Sequence, residues 1–293
     1  MNDKKAMNFG VALPYTSARA IATLCQSAEK TGWDGCFTGD AIWCEDPLIG
    51  LAAAAMLTDR IRLGTMVTPV PLRKPWKLAS ESVALDHLCN GRLTLGLATG
   101  AAWMGWHAFP DEVTDARQRA EMLAETIDIL TLLYARRPFD YDGRHYQVRL
   151  TQLDEQYYPP KPQQQPRIPL WCVGIWPRMK SMQRALTCDG LIVEKQRLHG
   201  QEQPITPAAI RAIRAFVQDN RPVATPFDIV VVGKTAGWPP AQIEDTLSAL
   251  AEAGATWWVE GLWDESVERV RQQIENGPPG GRESYSVGQQ AAR

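Results

Sequence analysis

The sequence predicts a closed (β/α)8 TIM barrel, and three observations support this fold class. Apolar runs of strand length alternate with segments of helical periodicity eight times along the chain. The apolar runs are continuous, which is typical of parallel strands that are covered on both faces. With 293 residues, 45% of them hydrophobic, the chain matches one barrel domain of about 250 residues. An open doubly wound sheet is the alternative architecture.

Each predicted strand is followed by a predicted helix. The strands span residues 9–13, 35–38, 61–67, 93–98, 170–173, 191–193, 227–232 and 256–260. The helices span residues 18–30, 47–57, 77–88, 117–134, 178–186, 207–218, 241–253 and 265–274. Gly32 and Gly91 come just after the first and third helices, where a residue that tolerates left-handed backbone ends a helix.

Two segments depart from this alternation. Residues 136–168 contain a predicted hairpin around Asp142 and Gly143 and then a proline-rich stretch. This insertion between the fourth helix and the fifth strand is too long for a routine connection, which indicates a functional or interfacial role. Residues 277–293 have almost no apolar content and are predicted to be disordered or loosely attached. The sequence therefore predicts a single domain over residues 1–276, followed by a tail.

Composition excludes several classes of partner. The 31 basic and 33 acidic residues are spread without long runs, so neither nucleic acid nor an anionic membrane is expected as a partner. A small molecule is expected instead. The six cysteines include no CxxC pair, which favours free thiols in a reducing compartment. No segment reads as a signal peptide or a membrane span, and the expected location is the cytoplasm.

In such a barrel, chemistry belongs to residues at the C-terminal ends of the strands. The sequence places mainly Gly, Thr and Trp there, with three carboxylates and no clustered imidazoles. A metal site is therefore not predicted. His107, which follows the fourth strand, either faces a ligand or orders its loop.

Residues 61–75 and 85–100 are the most informative part of the chain. They read as strand, polar loop, helix, turn, strand and glycine-containing loop, so two consecutive parallel strands bring small polar loops to one end of the sheet. Residues 61–100, with Gly-Arg-Leu-Thr-Leu-Gly at positions 91–96, resemble the bacterial luciferase-like family of flavin- and deazaflavin-dependent oxidoreductases. Residues 139–146, 169–174 and 189–190 are similar to that family as well.

The resemblance covers most of residues 8–277 and implies a barrel that holds a flavin across its strand ends, usually in a homodimer. Met66 and Val67 match a non-proline cis peptide that lies against the flavin ring. Thr68 matches a polar contact beside this peptide. Asp40 matches a polar residue that faces the ring. Its alternative role is to cap the N-terminus of a helix or to order a loop.

The resemblance also assigns two further loops to the cofactor. Thr99 and Gly100 match the fourth-strand loop that lets the ring approach the backbone closely. The turn into the fifth helix matches a site where backbone amides and a cation hold the flavin phosphate. The residues of this turn are Gly174, Ile175, Trp176 and Arg178.

Two departures from the family pattern bear on the reaction. Several deazaflavin-dependent members carry Asp-His after the second strand and a glutamate in the fourth-strand loop, whereas this chain has Asp-Ala at 40–41 and Gly-Ala-Ala-Trp at 100–103. A sugar-phosphate dehydrogenase mechanism, which needs an imidazole base and a carboxylic acid near the hydride, therefore lacks both groups. The remaining polar candidates are Asp40, His107 and Tyr15.

Aromatic residues supply the predicted substrate pocket. The loops at the cofactor face contain Trp43, Trp103 and Trp106, where a flat apolar substrate can stack on them. A position in a dimer interface is an equally weighted alternative for these tryptophans. Tyr15 follows the first strand and is assigned to the same pocket. Arg73 is interpreted as a solvated loop charge rather than a ligand for an anion.

These observations predict a flavin-dependent oxidoreductase. The leading hypothesis is a monooxygenase that binds reduced flavin mononucleotide (FMN) at the barrel mouth and acts on a small apolar or aromatic substrate, because this chemistry needs few acid–base side chains. A separate flavin reductase is then an expected partner. One alternative is hydride transfer with the deazaflavin coenzyme F-420, and another is a flavin-binding protein without turnover. A barrel hydrolase that uses Asp40, Glu194 and Glu260 has no supporting motif.

Overall fold

The computed structural model of the chain describes residues 7–194, 197–198, 201–202, 204–221, 223 and 225–280. The strands are β1 (Asn8–Leu13), β2 (Gly35–Thr38), β3 (Arg62–Pro69), β4 (Leu93–Ala98), β5 (Asp140–Asp142), β6 (Gln147–Arg149), β7 (Leu170–Ile175), β8 (Gly190–Glu194), β9 (Arg197–Leu198), β10 (Gln201–Glu202), β11 (Asp228–Gly233) and β12 (Trp257–Gly261). Across these residues, eight parallel strands close into a barrel in the order β1-β12-β11-β8-β7-β4-β3-β2. The predicted barrel is confirmed, and the open sheet was the wrong alternative.

Helices pack around the outside of the barrel. They are α1 (Ala18–Lys30), α2 (Pro47–Ala55), α3 (Pro75–Leu88), α4 (Ala116–Ala135), α5 (Met179–Ala185), α6 (Pro207–Asn220), α7 (Pro240–Ala253) and α8 (Val267–Glu275). Several begin where a side-chain oxygen accepts a backbone N–H of the first turn, as Ser17 does for α1 and Asp115 for α4. Gly32 and Gly91 follow α1 and α3 with φ of 91° and 76°, in the conformation expected for these stop signals.

Three aromatic rings fill the lower part of the barrel interior. Phe37, Trp171 and Trp257 are buried, and their ring centroids lie 5.3 to 5.9 Å apart. Gly10 and Gly35 make room for them, since a Cβ at either position would lie 2.7 Å from Phe37 Cε2. These rings close the barrel toward the N-terminal ends of the strands and leave the C-terminal end as its mouth.

Strand β3 is irregular where it approaches the mouth. The peptide bond between Met66 and Val67 is cis, as the resemblance implied. The register between β3 and β4 shifts at this point, between Thr65 and Thr68. Met66 and Val67 both pack against the interior cluster of the barrel, so two successive side chains face inward.

The insertion between α4 and β7 contains the predicted hairpin, formed by β5 and β6. Glu125 of α4 holds its turn, because the carboxylate accepts hydrogen bonds from the backbone N–H groups of Arg144, His145 and Tyr146. The predicted tail begins at Gly277, and its residues 281–293 lie outside the described part of the chain. The single-domain boundary stays a prediction.

Three further observations concern the described residues alone. All six cysteines are free, as expected. No group of three or more His, Cys, Asp or Glu side chains in the described ranges is placed to hold a metal ion. No helix among these residues is long and apolar enough to cross a membrane.

Candidate active site

The mouth of the barrel has an aliphatic floor. Val67, Val173 and Val232 pack against the buried interior cluster and keep part of their own surface exposed. They come from β3, β7 and β11, so the floor extends across the barrel. Glu194 is exposed at the end of β8, and it lies on the same face as the interior residue Ile192 because strand residues alternate. The floor is therefore apolar, with a carboxylate on its rim.

Asp40 connects the loop after β2 to the cis peptide. Its backbone N–H donates to the carbonyl oxygen of Val67 over 3.3 Å. Its carboxylate, with 6% of the side chain exposed, accepts a hydrogen bond from Nε of Arg73 over 2.9 Å. Burial raises the pKa of Asp40, and the Arg73 guanidinium opposes this shift. The residue that caps α2 is Asp46, so Asp40 does not have the alternative role of a helix cap.

Arg73 lies among three carboxylates. Besides Asp40, its guanidinium reaches Asp46 at 2.9 Å and Glu81 at 3.6 Å. Burial lowers the pKa of Arg73, but the nearby carboxylates outweigh burial and raise it above its ordinary value. Arg73 therefore stays charged and is bound within the chain. The interpretation of Arg73 as a solvated loop charge was wrong, because the sequence does not show that three acidic side chains converge on it.

Tyr15 lies beside Asp40 at the mouth. Its ring covers Gly39, where an added Cβ would meet the ring at 3.1 Å. Burial raises the pKa of Tyr15, and the neighbouring Cys44 and Asp40 add to the shift. The hydroxyl of Tyr15 therefore stays protonated at neutral pH and is available as a hydrogen-bond donor. The side chain is exposed enough to contact a ligand.

The tryptophans assigned to the pocket divide into two environments. Trp43 and Trp103 have 86% and 79% of their surface exposed. Trp106 has 1% of its surface exposed, so it offers no open face to a substrate. Its ring packs on the loop after β4, where a Cβ added to Gly100 would lie 2.6 Å from Cζ2. His107 is exposed in the short helical turn formed by Trp106–Ala108.

Arg119 is a site residue that the sequence reasoning missed. It lies in the first turn of α4, with 8% of its surface exposed, and its guanidinium carbon is 5.3 Å from the centroid of the Trp106 ring. Its Nη1 donates to the carbonyl oxygens of Thr99 at 2.9 Å and Gly100 at 2.5 Å. The sequence carried a signal, since Arg119 occupies the core-facing stripe of α4 that continues at positions 122, 123, 126, 127 and 130. A cation on such a stripe indicates a buried polar partner.

The orientation of Thr68 differs from that of Val67. Thr68 is buried and pairs in register with Leu97, which packs in the core between sheet and helices. Residues in register on neighbouring parallel strands share a face, so Thr68 is directed toward the helices. Its Oγ1 is buried without a hydrogen-bond partner. The assigned contact of Thr68 with a flavin stays a prediction, and this orientation gives it no support.

The turn into α5 is closed by bonds within the chain. The amide of Ile175 donates to Oγ of Ser181 over 3.1 Å, and the amide of Arg178 donates to the carbonyl oxygen of Ile175 over 2.6 Å. Gly174 faces the helix side, where a Cβ would lie 2.5 Å from Leu191. The side chain of Trp176 packs against Phe216, at 6.0 Å between ring centroids. Binding of a phosphate at this turn stays a prediction, and the exposed Arg178 is its remaining cation.

A cavity of about 760 Å³ lies along α8 on the flank of the barrel. Its lining includes Trp33 beside α1, Thr235 after β11 and Gln273 of α8. Behind it, the buried carboxylate of Glu260 accepts hydrogen bonds from Thr235, Trp258 and Gln273. Glu260 points toward the helices and not into the mouth, which removes it from any carboxylate pair with Asp40.

Comparison with known proteins gives the family. The family model described as luciferase-like monooxygenase matches residues 7–236. A Mycobacterium tuberculosis protein assigned to the coenzyme F-420-dependent oxidoreductases is 35% identical over 153 residues, which is 50% of this chain and 42% of that protein. The oxygenase component of a flavin-dependent trigonelline monooxygenase from Acinetobacter baylyi is 30% identical over 153 residues, which is 50% of this chain and 41% of that protein. The chain thus spans less than half the length of these relatives.

Solved structures agree on the fold. The coenzyme F-420-dependent tetrahydromethanopterin reductase of Methanopyrus kandleri has a TM-score of 0.70 at 17% identity, covering 93% of this chain and 98% of that one. The FMN-bound oxygenating constituent of 3,6-diketocamphane monooxygenase from Pseudomonas putida has a TM-score of 0.68 at 16% identity, covering 92% and 98%. Both are luciferase-like barrels. With the family match over residues 7–236, the chain belongs to the luciferase-like monooxygenase family.

Proposed function

We propose that the protein is a flavin-dependent monooxygenase that binds reduced FMN at the mouth of the barrel and acts on a small apolar or aromatic substrate. The observation that carries this proposal is the aliphatic floor of Val67, Val173 and Val232 at the C-terminal end of the strands. Members of the family are oxidoreductases and monooxygenases, and ligands of TIM barrels bind at this end.

The residues at the mouth fit the ring of a flavin better than its phosphate. A flat tricycle can lie on the aliphatic floor, and the backbone after β4 offers polar contacts to its edge. The turn into α5 gives less support, because the amides of Ile175 and Arg178 are already bonded within the chain. Arg178 would then hold the phosphate through its side chain.

The side chains around the floor are suited to binding and shielding. When bound, a reduced flavin supplies two electrons to dioxygen or to the substrate. The valines exclude water from the reacting face, and the exposed rings of Trp43 and Trp103 can close over an apolar substrate. Tyr15 donates a hydrogen bond to a polar atom of the substrate. Asp40 is bound to Arg73, so we assign it the role of fixing the loop after β2 against Val67 rather than that of a base.

Hydride transfer with coenzyme F-420 is the second candidate function. It is favoured by the similarity of the chain to the M. tuberculosis protein that is assigned as a coenzyme F-420-dependent oxidoreductase. The site offers less to this reaction, since the loop after β2 carries Ala41 in place of an imidazole and His107 is exposed.

A comparison of the affinities of the purified protein for FMN and F-420 tests the proposal. We expect tighter binding of FMN, and consumption of reduced FMN and dioxygen together with a substrate. Tighter binding of F-420, with reduction of the substrate, would favour the second candidate.

A separate flavin reductase is part of this proposal, because the oxygenase needs a supply of reduced FMN. Placing a reductase and the protein on opposite sides of a dialysis membrane tests it. Turnover that continues across the membrane would show that reduced FMN diffuses freely from the reductase to the protein. Turnover of the protein with FMN and a nicotinamide coenzyme, in the absence of a reductase, would show that no separate reductase is needed.

We also propose that the protein is a homodimer. Ile49, Met56 and Leu57 on and just after α2 are exposed, as is Leu88 of α3. Such an apolar surface is typical of an interface between subunits. Met56→Glu should shift the molar mass from dimer to monomer in light scattering, while Leu132→Glu, at an exposed position of α4, should leave it unchanged. A monomeric wild-type protein would overturn the proposal.

A further inference from the structure

The charge of Arg119 is directed at the backbone after β4. Within the described ranges, no carboxylate oxygen lies within ion-pair distance of its guanidinium, and its buried Nε has no hydrogen-bond partner. Burial lowers the pKa of Arg119, and Asp115 opposes this shift, but a guanidinium stays charged at neutral pH. The contacts of Nη1 are the carbonyl oxygens of Thr99 and Gly100. A buried cation is therefore bound to two successive peptide groups.

The geometry of these peptide groups fixes where their N–H groups point. Both peptides are trans, so the C=O and N–H of each point in opposite directions. Because both carbonyl oxygens face Arg119, the N–H groups of Gly100 and Ala101 face away from it. Gly100 has a φ of 78°, and successive N–H groups beside a left-handed residue form a concavity that binds anions. Neither N–H donates a hydrogen bond to another residue that the structure describes.

We propose that Arg119 is a positioning residue that fixes and polarises the N–H groups of Gly100 and Ala101 for the anionic edge of a reduced flavin. A guanidinium bound to a carbonyl oxygen draws electron density from the amide, which makes the N–H of the same peptide a stronger donor. The oxidised flavin ring is neutral, whereas the reduced ring carries a negative charge once it has lost a proton. Arg119 thus gives the site a preference for reduced flavin. This inference rests on the proposed function.

The test compares the affinities of oxidised and reduced FMN in three variants. Arg119→Gln removes the charge, and Arg119→Lys keeps a charge with fewer donors. Arg117→Gln is the matched control, because Arg117 lies on the same turn of α4 with an exposed side chain that pairs with Glu121. Affinities come from fluorescence and anaerobic absorbance titrations, and near-ultraviolet circular dichroism confirms that each variant is folded.

The wild type should bind reduced FMN more tightly than oxidised FMN. Arg119→Gln should weaken the binding of reduced FMN by about tenfold, the effect of losing a charge-assisted contact, and change that of oxidised FMN little. Arg119→Lys should fall between the wild type and Arg119→Gln, and Arg117→Gln should match the wild type. A purely structural role would instead weaken both redox forms equally in Arg119→Gln, which would overturn this inference and leave the proposed function standing.

Two further outcomes are decisive. If Arg119→Gln does not fold, the wild type and Arg119→Lys still test the inference, since equal affinities of the wild type for the two redox forms would overturn it. If the wild type binds neither form of FMN, the proposed function and this inference fail together.

Discussion

The carboxylate of Asp40 accepts a hydrogen bond from Nε of Arg73 over 2.9 Å, and 6% of the Asp40 side chain is exposed. This pair holds the loop after β2 against the peptide carbonyl of Val67, which belongs to the floor of the candidate site. Its value to the fold depends on keeping both partners, because an unpaired charge at this depth is costly.

Arg73→Gln should lower the free energy of unfolding by about 3 kcal/mol, since it leaves Asp40 buried without its cation. The double variant Asp40→Asn/Arg73→Gln should recover part of this loss. Arg149→Gln is the control, because the pair of Arg149 with Asp142 is exposed and solvent screens it, so its loss should change stability far less. Urea denaturation at pH 7 measures all three. Equal losses for Arg73→Gln and Arg149→Gln would contradict the role assigned to the buried pair.

The loop after β4 should be sensitive to a single added methyl group. At Gly100, with φ of 78°, a Cβ would lie 2.6 Å from Trp106 Cζ2 and 2.8 Å from Pro69 Cβ. At Gly105, with φ of 94°, a Cβ would meet nothing within 4 Å. Gly105→Ala should therefore cost about 1 kcal/mol through the backbone alone, and Gly100→Ala about 2 kcal/mol more through overpacking. Thermal or urea unfolding of the two variants measures the difference, and equal costs would show that the loop relaxes around the methyl group.

The exposed tryptophans should matter for ligands and the buried one for stability. Trp43→Ala and Trp103→Ala should change the free energy of unfolding by no more than about 0.5 kcal/mol, because both rings lie in solvent. Trp106→Ala should cost about 3 kcal/mol or more. If Trp43 and Trp103 contact the substrate, their variants raise its KM, while Tyr157→Ala, a change at an exposed ring of the insertion, does not. An unchanged KM in both variants would remove them from the pocket.

Glu29 gives a pH dependence of stability with a defined sign. Burial raises the pKa of Glu29, but hydrogen bonds from the backbone N–H groups of Ile61, Arg60 and Asp59 outweigh burial and lower it. A carboxyl group with a lowered folded-state pKa stabilises the protein above its unfolded-state value of 4.5, and this contribution is lost as the pH falls through the folded-state pKa.

Glu29→Gln should therefore cost about 1 kcal/mol at pH 7 and progressively less below pH 4.5, where the wild-type carboxylate itself becomes protonated. Glu252→Gln, at an exposed position of α7, is the control for the loss of a surface carboxylate and should change stability little at pH 7. Urea midpoints measured between pH 3 and pH 7 check the prediction. A constant difference between Glu29→Gln and the wild type across this range would contradict it.

The sequence was sufficient for the barrel because its signals are local. Residues 35–38 and 93–98 form strands at the predicted boundaries, since continuous apolar runs between turn residues leave few alternatives. The cis bond at Met66–Val67 followed from the resemblance. The contacts that shape the site are not local. Arg119 and Gly100 are separated along the chain, and only the packing of α4 against the loop after β4 brings them together.

The same reason explains the residues whose environment the sequence did not reveal. Trp106 lies beside the exposed His107, yet its ring is buried because it packs against Gly100 and Arg119. The sequence predicts that Gly174 belongs to a phosphate-binding loop, but in the structure this glycine allows α5 to pack closely on the barrel. The amide of Ile175 already donates its hydrogen bond to the hydroxyl of Ser181. Side-chain direction at strand ends depends on register, and register is a property of the closed sheet.

The most direct test of the central claim is the affinity for reduced FMN after one substitution in the aliphatic floor. Val232→Glu places a charge where the ring should lie, and Val223→Glu makes the same change at an exposed position away from the mouth. We expect Val232→Glu to weaken binding of reduced FMN by more than about tenfold, while Val223→Glu binds as the wild type does. Equal affinities of the two variants, with both folded, would show that flavin does not bind at the mouth of the barrel.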